Sequence, residues 1–174
     1  MEDVKTSFNI WDGIVLRLGE GSKVTLNKVE GSYNGYDGYG GGGVNAAASP
    51  NSQAELILKG TNSFIGNTGS LDTYGLYAED NINVVVSRGA TLNAYNNTGV
   101  GVWFYVGSLV HGPSTLTVKK GGAVNACSNG GYDLVDVVSP PSFFPTSGDG
   151  YTCDRVLDTN NEFTACENTC PVCA

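Results

Sequence analysis

Charge is scarce in this sequence: 15% of its 174 residues are Asp, Glu, Lys or Arg, and histidine and methionine occur once each. Ordinary soluble domains carry about 25% charged residues. The nine basic residues are scattered among seventeen acids, with Lys119-Lys120 as the one adjacent pair, and the net charge is −8. A phosphate backbone calls for clustered cations, so no nucleic-acid partner is expected. Nor is a membrane span, because no apolar run approaches the ~18 residues that cross a bilayer. The opening Met1-Glu2-Asp3-Val4-Lys5 carries two acids and lacks the apolar stretch of a secretory signal.

Catalytic constellations are also missing. His111 stands in Val110-His111-Gly112-Pro113 with no carboxylate beside it in sequence, a poor start for a histidine-dependent triad or acid/base pair. Glycoside hydrolysis needs two carboxyls at a set separation. Glu2-Asp3 and Glu79-Asp80 fall outside patterned strands, while Asp133 and Asp136 sit three apart on an alternating strand, face opposite sides and read as solvated surface acids. Cys170-Pro171-Val172-Cys173 has the spacing of half a zinc site, but no second close pair completes it. No catalytic residue, metal or cofactor is assigned, and the chain is expected not to be an enzyme.

What the sequence has in abundance is glycine, 25 residues, and internal repetition. Asn83-Val84-Val85-Val86-Ser87-Arg88-Gly89-Ala90-Thr91-Leu92-Asn93-Ala94 lies without gaps on Thr115-Leu116-Thr117-Val118-Lys119-Lys120-Gly121-Gly122-Ala123-Val124-Asn125-Ala126, 32 residues on. The same offset carries Val100-Gly101-Val102 onto Tyr132-Asp133-Leu134. Leu16 to Asn27 supplies an earlier copy of the first two segments, and Glu55 to Gly60 begins a looser one. Each copy reads as a period-2 run, a glycine, a second period-2 run, an Asn/Gly turn and a third short run, which is the alternation of β-strands. No such strand buries its face alone, whereas stacked copies place like residue over like. The reading is a parallel β-solenoid rather than a β-sandwich, whose strands need no internal period. It stacks Leu16/Leu18 with Leu56/Leu58, Val84/Val86 and Leu116/Val118, and Val24/Leu26 with Leu92/Ala94 and Val124/Ala126.

Rungs such as Val86-Ser87-Arg88-Gly89-Ala90-Thr91-Leu92-Asn93-Ala94 resemble those of the right-handed parallel β-helix, or pectin-lyase-like, superfamily, particularly its adhesin-like and surface-protein members. The resemblance is one of architecture, covers about residues 14 to 138 and leaves function open. The expected fold is all-β: a short right-handed parallel β-helix of about four rungs, opening near Ile14, Ala54, Ile82 and Thr115, with a disulfide-rich C-terminal tail. Val4, Phe8 and Ile10 alternate with polar residues as an N-terminal capping strand, and Gly38 to Pro50 reads as a loop excursion. Residues 1–138 form the helix, 139–150 a Pro/Gly linker or docking arm, and 151–174 a Cys-rich segment.

Cys153, Cys166, Cys170 and Cys173 crowd into the tail while Cys127 stands apart, a pattern of disulfides in an oxidising compartment and hence of an extracellular or cell-surface protein. Cys127 can be a free buried thiol, bridge to another chain or pair with a tail cysteine. Two aromatic groups are candidates for glycan or partner contact: Tyr33, Tyr36 and Tyr39, recurring every three residues, and Trp103 with Tyr105. Asn96-Asn97-Thr98 is an N-glycosylation sequon, with Asn96 as acceptor. The expected function is an extracellular structural or adhesive module of a surface fibre, wall or larger assembly, its partners further copies of itself, other surface proteins or a polysaccharide. A carbohydrate-binding module using the exposed aromatics, and a divergent polysaccharide lyase or hydrolase, are the alternatives.

Overall fold

The structure, a computed structural model, describes residues 1–35, 40–49, 52–69, 72–105, 114–137, 151–152, 156–158 and 170. It is built of sixteen β-strands: β1 Lys5–Ser7, β2 Ile14–Leu18, β3 Lys23–Asn27, β4 Glu30–Ser32, β5 Gly42–Ala48, β6 Ala54–Lys59, β7 Thr61–Ser63, β8 Tyr74–Glu79, β9 Ile82–Val86, β10 Thr91–Tyr95, β11 Val100–Tyr105, β12 Thr115–Val118, β13 Ala123–Cys127, β14 Leu134–Val137, β15 Tyr151–Thr152 and β16 Val156–Asp158. They form three parallel sheets. Sheet 1 runs β1-β4-β7-β10-β13-β15, sheet 2 runs β2-β5-β8-β11-β14-β16, and sheet 3 runs β3-β6-β9-β12. From β2 onward the chain visits sheets 2, 3 and 1 in rotation, and three full turns join the first strand of sheet 3 to its fourth. This is a parallel β-solenoid, and among the described residues no helix is long and apolar enough to cross a membrane.

The 32-residue repeat maps directly onto the sheets: Leu116 pairs with Val84, Val124 with Leu92, and Leu134 with Val102. The earliest copy is out of phase with the expectation by one side of the coil. Val24 and Leu26, not Leu16 and Leu18, continue the column of Leu56/Leu58 and Val84/Val86. Leu16 instead stands on Ala46, Ala78 and Phe104 in sheet 2. Strands on all three sides share the same in-out alternation, so the pattern does not say which side a strand occupies. The misassignment followed from a missed strand, because Gly42–Ala48, read as part of a loop excursion, is β5. Its small side chains lie where the wall is crowded: a Cβ on Gly43 would stand 2.5 Å from the Gly31 carbonyl oxygen and 2.7 Å from Phe64 Cβ.

Leu26, Leu56, Leu58, Leu76, Ile82, Leu92 and Leu134 are fully enclosed, with Phe64 and Phe104 as the largest interior groups. The expected N-terminal strand exists as β1, paired with β4 at the end of sheet 1. Val4 packs on the core, but Phe8 and Ile10 are exposed, and Phe8 stacks on Tyr33 rather than on the interior. The 139–150 arm lies outside the described residues.

The corner between sheets 1 and 2 holds a column of stacked amides. Asn9 donates through Nδ2 to Asn34 Oδ1 (2.8 Å), Asn34 to Asn67 (3.2 Å), Asn67 to Asn97 (2.8 Å), Asn97 to Asn129 (2.9 Å) and Asn129 to the carboxylate of Asp133 (2.9 Å). The backbone N–H groups of Asn34, Asn67 and Asn97 donate to the same oxygen of the next residue up, at 3.0 to 3.1 Å. Asn97 also donates to the Phe64 carbonyl and Asn129 to that of Ala94, so both amides use two protons and two lone pairs. Asp133, expected on the surface, is 1% exposed and terminates the column, because an ionised carboxylate only accepts. Gly75 and Gly101 make room for it: a Cβ there would fall 3.1 Å from Asn97 Nδ2 and 2.6 Å from Asn129 Nδ2.

Replacing Asn97 by Ala deprives two donors on Asn67 and two acceptors, the Phe64 carbonyl and Asn129 Oδ1, in the neighbouring coils. Leaving a buried polar group unsatisfied costs about 1–3 kcal/mol, so Asn97→Ala should lose on the order of 2–4 kcal/mol in urea unfolding, against about 0.5 kcal/mol or less for the exposed neighbour Thr98→Ala. Equal losses for the two variants would show that the column does not stabilise the coil.

Candidate binding face

On sheet 2 the alternation that sends Leu76, Val102 and Leu134 inward turns the residues between them outward. Asn45, Tyr77, Trp103 and Val135 form one outer column in continuous register, and Ala47, Glu79 and Tyr105 the next. Adjacent strands of a sheet lie about 4.8 Å apart, so rings in these columns must touch. Tyr77 meets Trp103 edge to face with centroids 5.4 Å apart, and Tyr105 stacks on Tyr77 at 6.1 Å. Tyr74, at the start of β8, stacks on the other side of Tyr77 at 5.1 Å. The result is a four-ring face on the outside of β8 and β11, with Arg17, Asn45 and Glu79 around it.

Tyr74 is the anchored member. Its hydroxyl donates to Asp12 Oδ1 at 2.7 Å and accepts from Asn45 Nδ2 at 3.0 Å. Asp12 in turn accepts from the Gly42 N–H at 2.7 Å and from Asn45, while Arg17 donates to Asn45 Oδ1 at 2.9 Å. Gly42 is the residue that lets the ring lie flat, since a Cβ there would be 2.2 Å from Tyr74 Cδ2. Trp103 is half-buried, and its enclosed indole N–H meets no acceptor among the described residues. Burial, and then the bond to the Asp12 carboxylate, hold the Tyr74 phenol well above its ordinary pKa. Burial, and then the charge of Glu79, raise Tyr77 as well. Both are neutral hydroxyls at any physiological pH, so the face offers rings and O–H groups rather than charge.

The two aromatic groups expected from sequence part company. Trp103 and Tyr105 belong to this face. Tyr33 lies elsewhere, at the N-terminal end, exposed and stacked on Phe8 at 6.0 Å; Tyr36 and Tyr39 lie outside the described residues. Tyr74 and Tyr77 were missed. Trp103 follows its partner Tyr77 by 26 positions rather than 32, so the repeat that aligned later coils does not bring these rings together on paper. Asn96 is exposed in a turn at φ 54°, with Thr98 also exposed and Asn97 between them held in the amide column. Of the cysteines, Cys127 forms a disulfide with Cys170, and Cys153, Cys166 and Cys173 lie outside the described residues. That bond settles the placement of Cys127, which is tied to the tail.

Comparison of the chain with protein-family models, with curated proteins and with solved structures returned no match.

The raised phenols set an alkaline limit. Below the unfolded pKa of about 10 both states are protonated and stability is unaffected; above it the unfolded chain releases protons that Tyr74 and Tyr77 retain, so stability falls as pH rises further. Tyrosinate absorbance should therefore contain a late component that ionises only as the near-ultraviolet dichroism of the fold is lost, diminished in Tyr77→Phe. A single early transition with the dichroism intact would contradict this.

Proposed function

We propose that this chain is an extracellular structural and adhesive module that holds a polysaccharide against the outer face of sheet 2. The observation that carries the reading is the contiguous outer set Tyr77, Trp103 and Tyr105, with the buried Tyr74 stacked against Tyr77. Aromatic rings on a flat, rigid wall present their π faces to the C–H face of a pyranose, and neutral phenols supply hydroxyls to its rim. A parallel solenoid suits adhesion, since its outer residues are fixed by backbone pairing rather than by loops. The Cys127–Cys170 disulfide supports an oxidising, extracellular setting.

The test is affinity electrophoresis and calorimetry against a panel of wall and matrix polysaccharides. Loss of one stacked ring should weaken binding on the order of tenfold, the equivalent of about 1.4 kcal/mol. Trp103→Ala and Tyr77→Ala are expected to show that loss and Tyr33→Ala to bind normally. Binding that survives both ring deletions would remove this face from the adhesive site. If the bound polymer instead acquires reducing or unsaturated ends on incubation, the chain is a lyase or hydrolase rather than an adhesin.

A further inference from the structure

We infer that the two ends of the solenoid are complementary docking surfaces for a second copy of this chain, β15 and β16 of one copy pairing in parallel with β1 and β2 of the next. The inference stands apart from the sugar-binding reading and uses none of its four rings.

Among the described residues, strand β2 ends sheet 2 on one side and β16 on the other; β1 and β15 do the same for sheet 1. The Leu18 carbonyl accepts from the Ser49 N–H at 2.8 Å, inside the sheet. Backbone groups alternate in direction along a strand, so those of Val15 and Arg17 face the open edge. An unpaired edge of this kind is a template for another strand, and in a parallel sheet the added strand keeps the same direction at either end.

The two ends also match in step. At both, consecutive strands climb from sheet 1 to sheet 2: β1 then β2 at one end, β15 then β16 at the other. Seating β1 on β15 therefore brings β2 to β16 without a gap. The columns set the register. Ile14 heads the column of Val44, Leu76, Val102 and Leu134, which ends on Val156. Continuing it places Val156 against Ile14 and Leu157 against Val15. In sheet 1 the column Lys5, Glu30, Ser63, Asn93, Asn125 and Thr152 continues by placing Thr152 against Lys5 and Tyr151 against Val4.

The side chains agree with that register. At the N-terminal end Phe8, Ile10, Trp11 and Val15 are each half or more exposed, an apolar rim on a chain whose other large apolar groups are mostly enclosed. Cys127 shares the outward column parity of Asn125, yet it is buried and bonded to Cys170, which therefore lies on the flank of sheet 1. Head-to-tail contacts of this kind do not close, so the product is a filament.

The experiment pairs Val15→Cys with Leu157→Cys in the full chain under mild oxidation, resolved on non-reducing gels beside the two single variants and the unsubstituted chain. Within one copy these positions are five strand spacings, about 24 Å, apart, far beyond the ~7 Å that a disulfide spans, so only a stacked neighbour can join them. A ladder of covalent oligomers specific to the double variant is the expected result. Cross-linking by Val15→Cys alone would mean edge-to-edge pairing of two β2 strands and would overturn the inference, as would absence of a ladder at any concentration. Light scattering on the chain with its natural cysteines gives an independent reading: Val15→Pro, which removes an N–H at the open edge of β2 and none inside the sheet, should weaken association at least tenfold. A chain that stays monomeric throughout is incompatible with stacking, whatever its affinity for polysaccharide.

Discussion

A polar group inside a stack of parallel coils has only the coils above and below to satisfy it. The amide column from Asn9 to Asp133 answers that constraint at one corner of this solenoid, and much else is arranged around it. Each asparagine turns the chain from sheet 1 to sheet 2, and its oxygen receives the backbone N–H of the equivalent residue one coil earlier. One residue thus serves as turn former, spacer and hydrogen-bond relay. Because an amide both donates and accepts, the column has a direction, and Asp133 is a chemically apt terminus. Glycines on the adjoining strands are the steric counterpart, since no side chain fits between the amide and the next backbone.

The column also bears on the face proposed for binding. Fixing the corner fixes where β8 and β11 begin, and the register of those strands alone sets Tyr77 against Trp103. Apolar stacking inside the coil is tolerant of sliding when every column holds Leu, Val or Ala, whereas a one-residue slip would break several amide bonds at once. The interior leucines supply the larger share of the burial, and the asparagines select one register among several that would bury similar area. A face made of rings on neighbouring strands requires that selection.

The same regularity leaves the ends of the stack as its reactive parts. Among the described strands each sheet ends on one at either side: β1 and β15, β2 and β16, β3 and β12. Exposed Phe8, Ile10 and Trp11 gather in the link between β1 and β2, in the first coil. The aromatic wall and the apolar end are thus separate surfaces with separate chemistry: the first suited to a polymer lying across the coils, the second to another set of coils.

Repetition at 32 residues, alternation within each run and glycine between runs determined the all-β class, the parallel stacking and the identity of most interior columns. Those signals are local or periodic, and periodic stacking adds no information beyond the repeat itself. The sequence also marked Trp103 and Tyr105 as a candidate surface and Cys127 as a cysteine apart from the tail. The tertiary structure decided what depends on the lengths between repeats. Irregular links hid β5, shifted the first copy by one side of the coil and concealed that Tyr77 stands beside Trp103. Asn34, Asn67, Asn97 and Asn129 recur at offsets of 33, 30 and 32 and were legible as turn residues; that their amides point inward and bond to one another followed only once the coils were stacked. The pairing of Cys127 with Cys170, 43 positions on, was likewise settled by where the tail meets sheet 1, because five cysteines admit many pairings and spacing alone carries no distance.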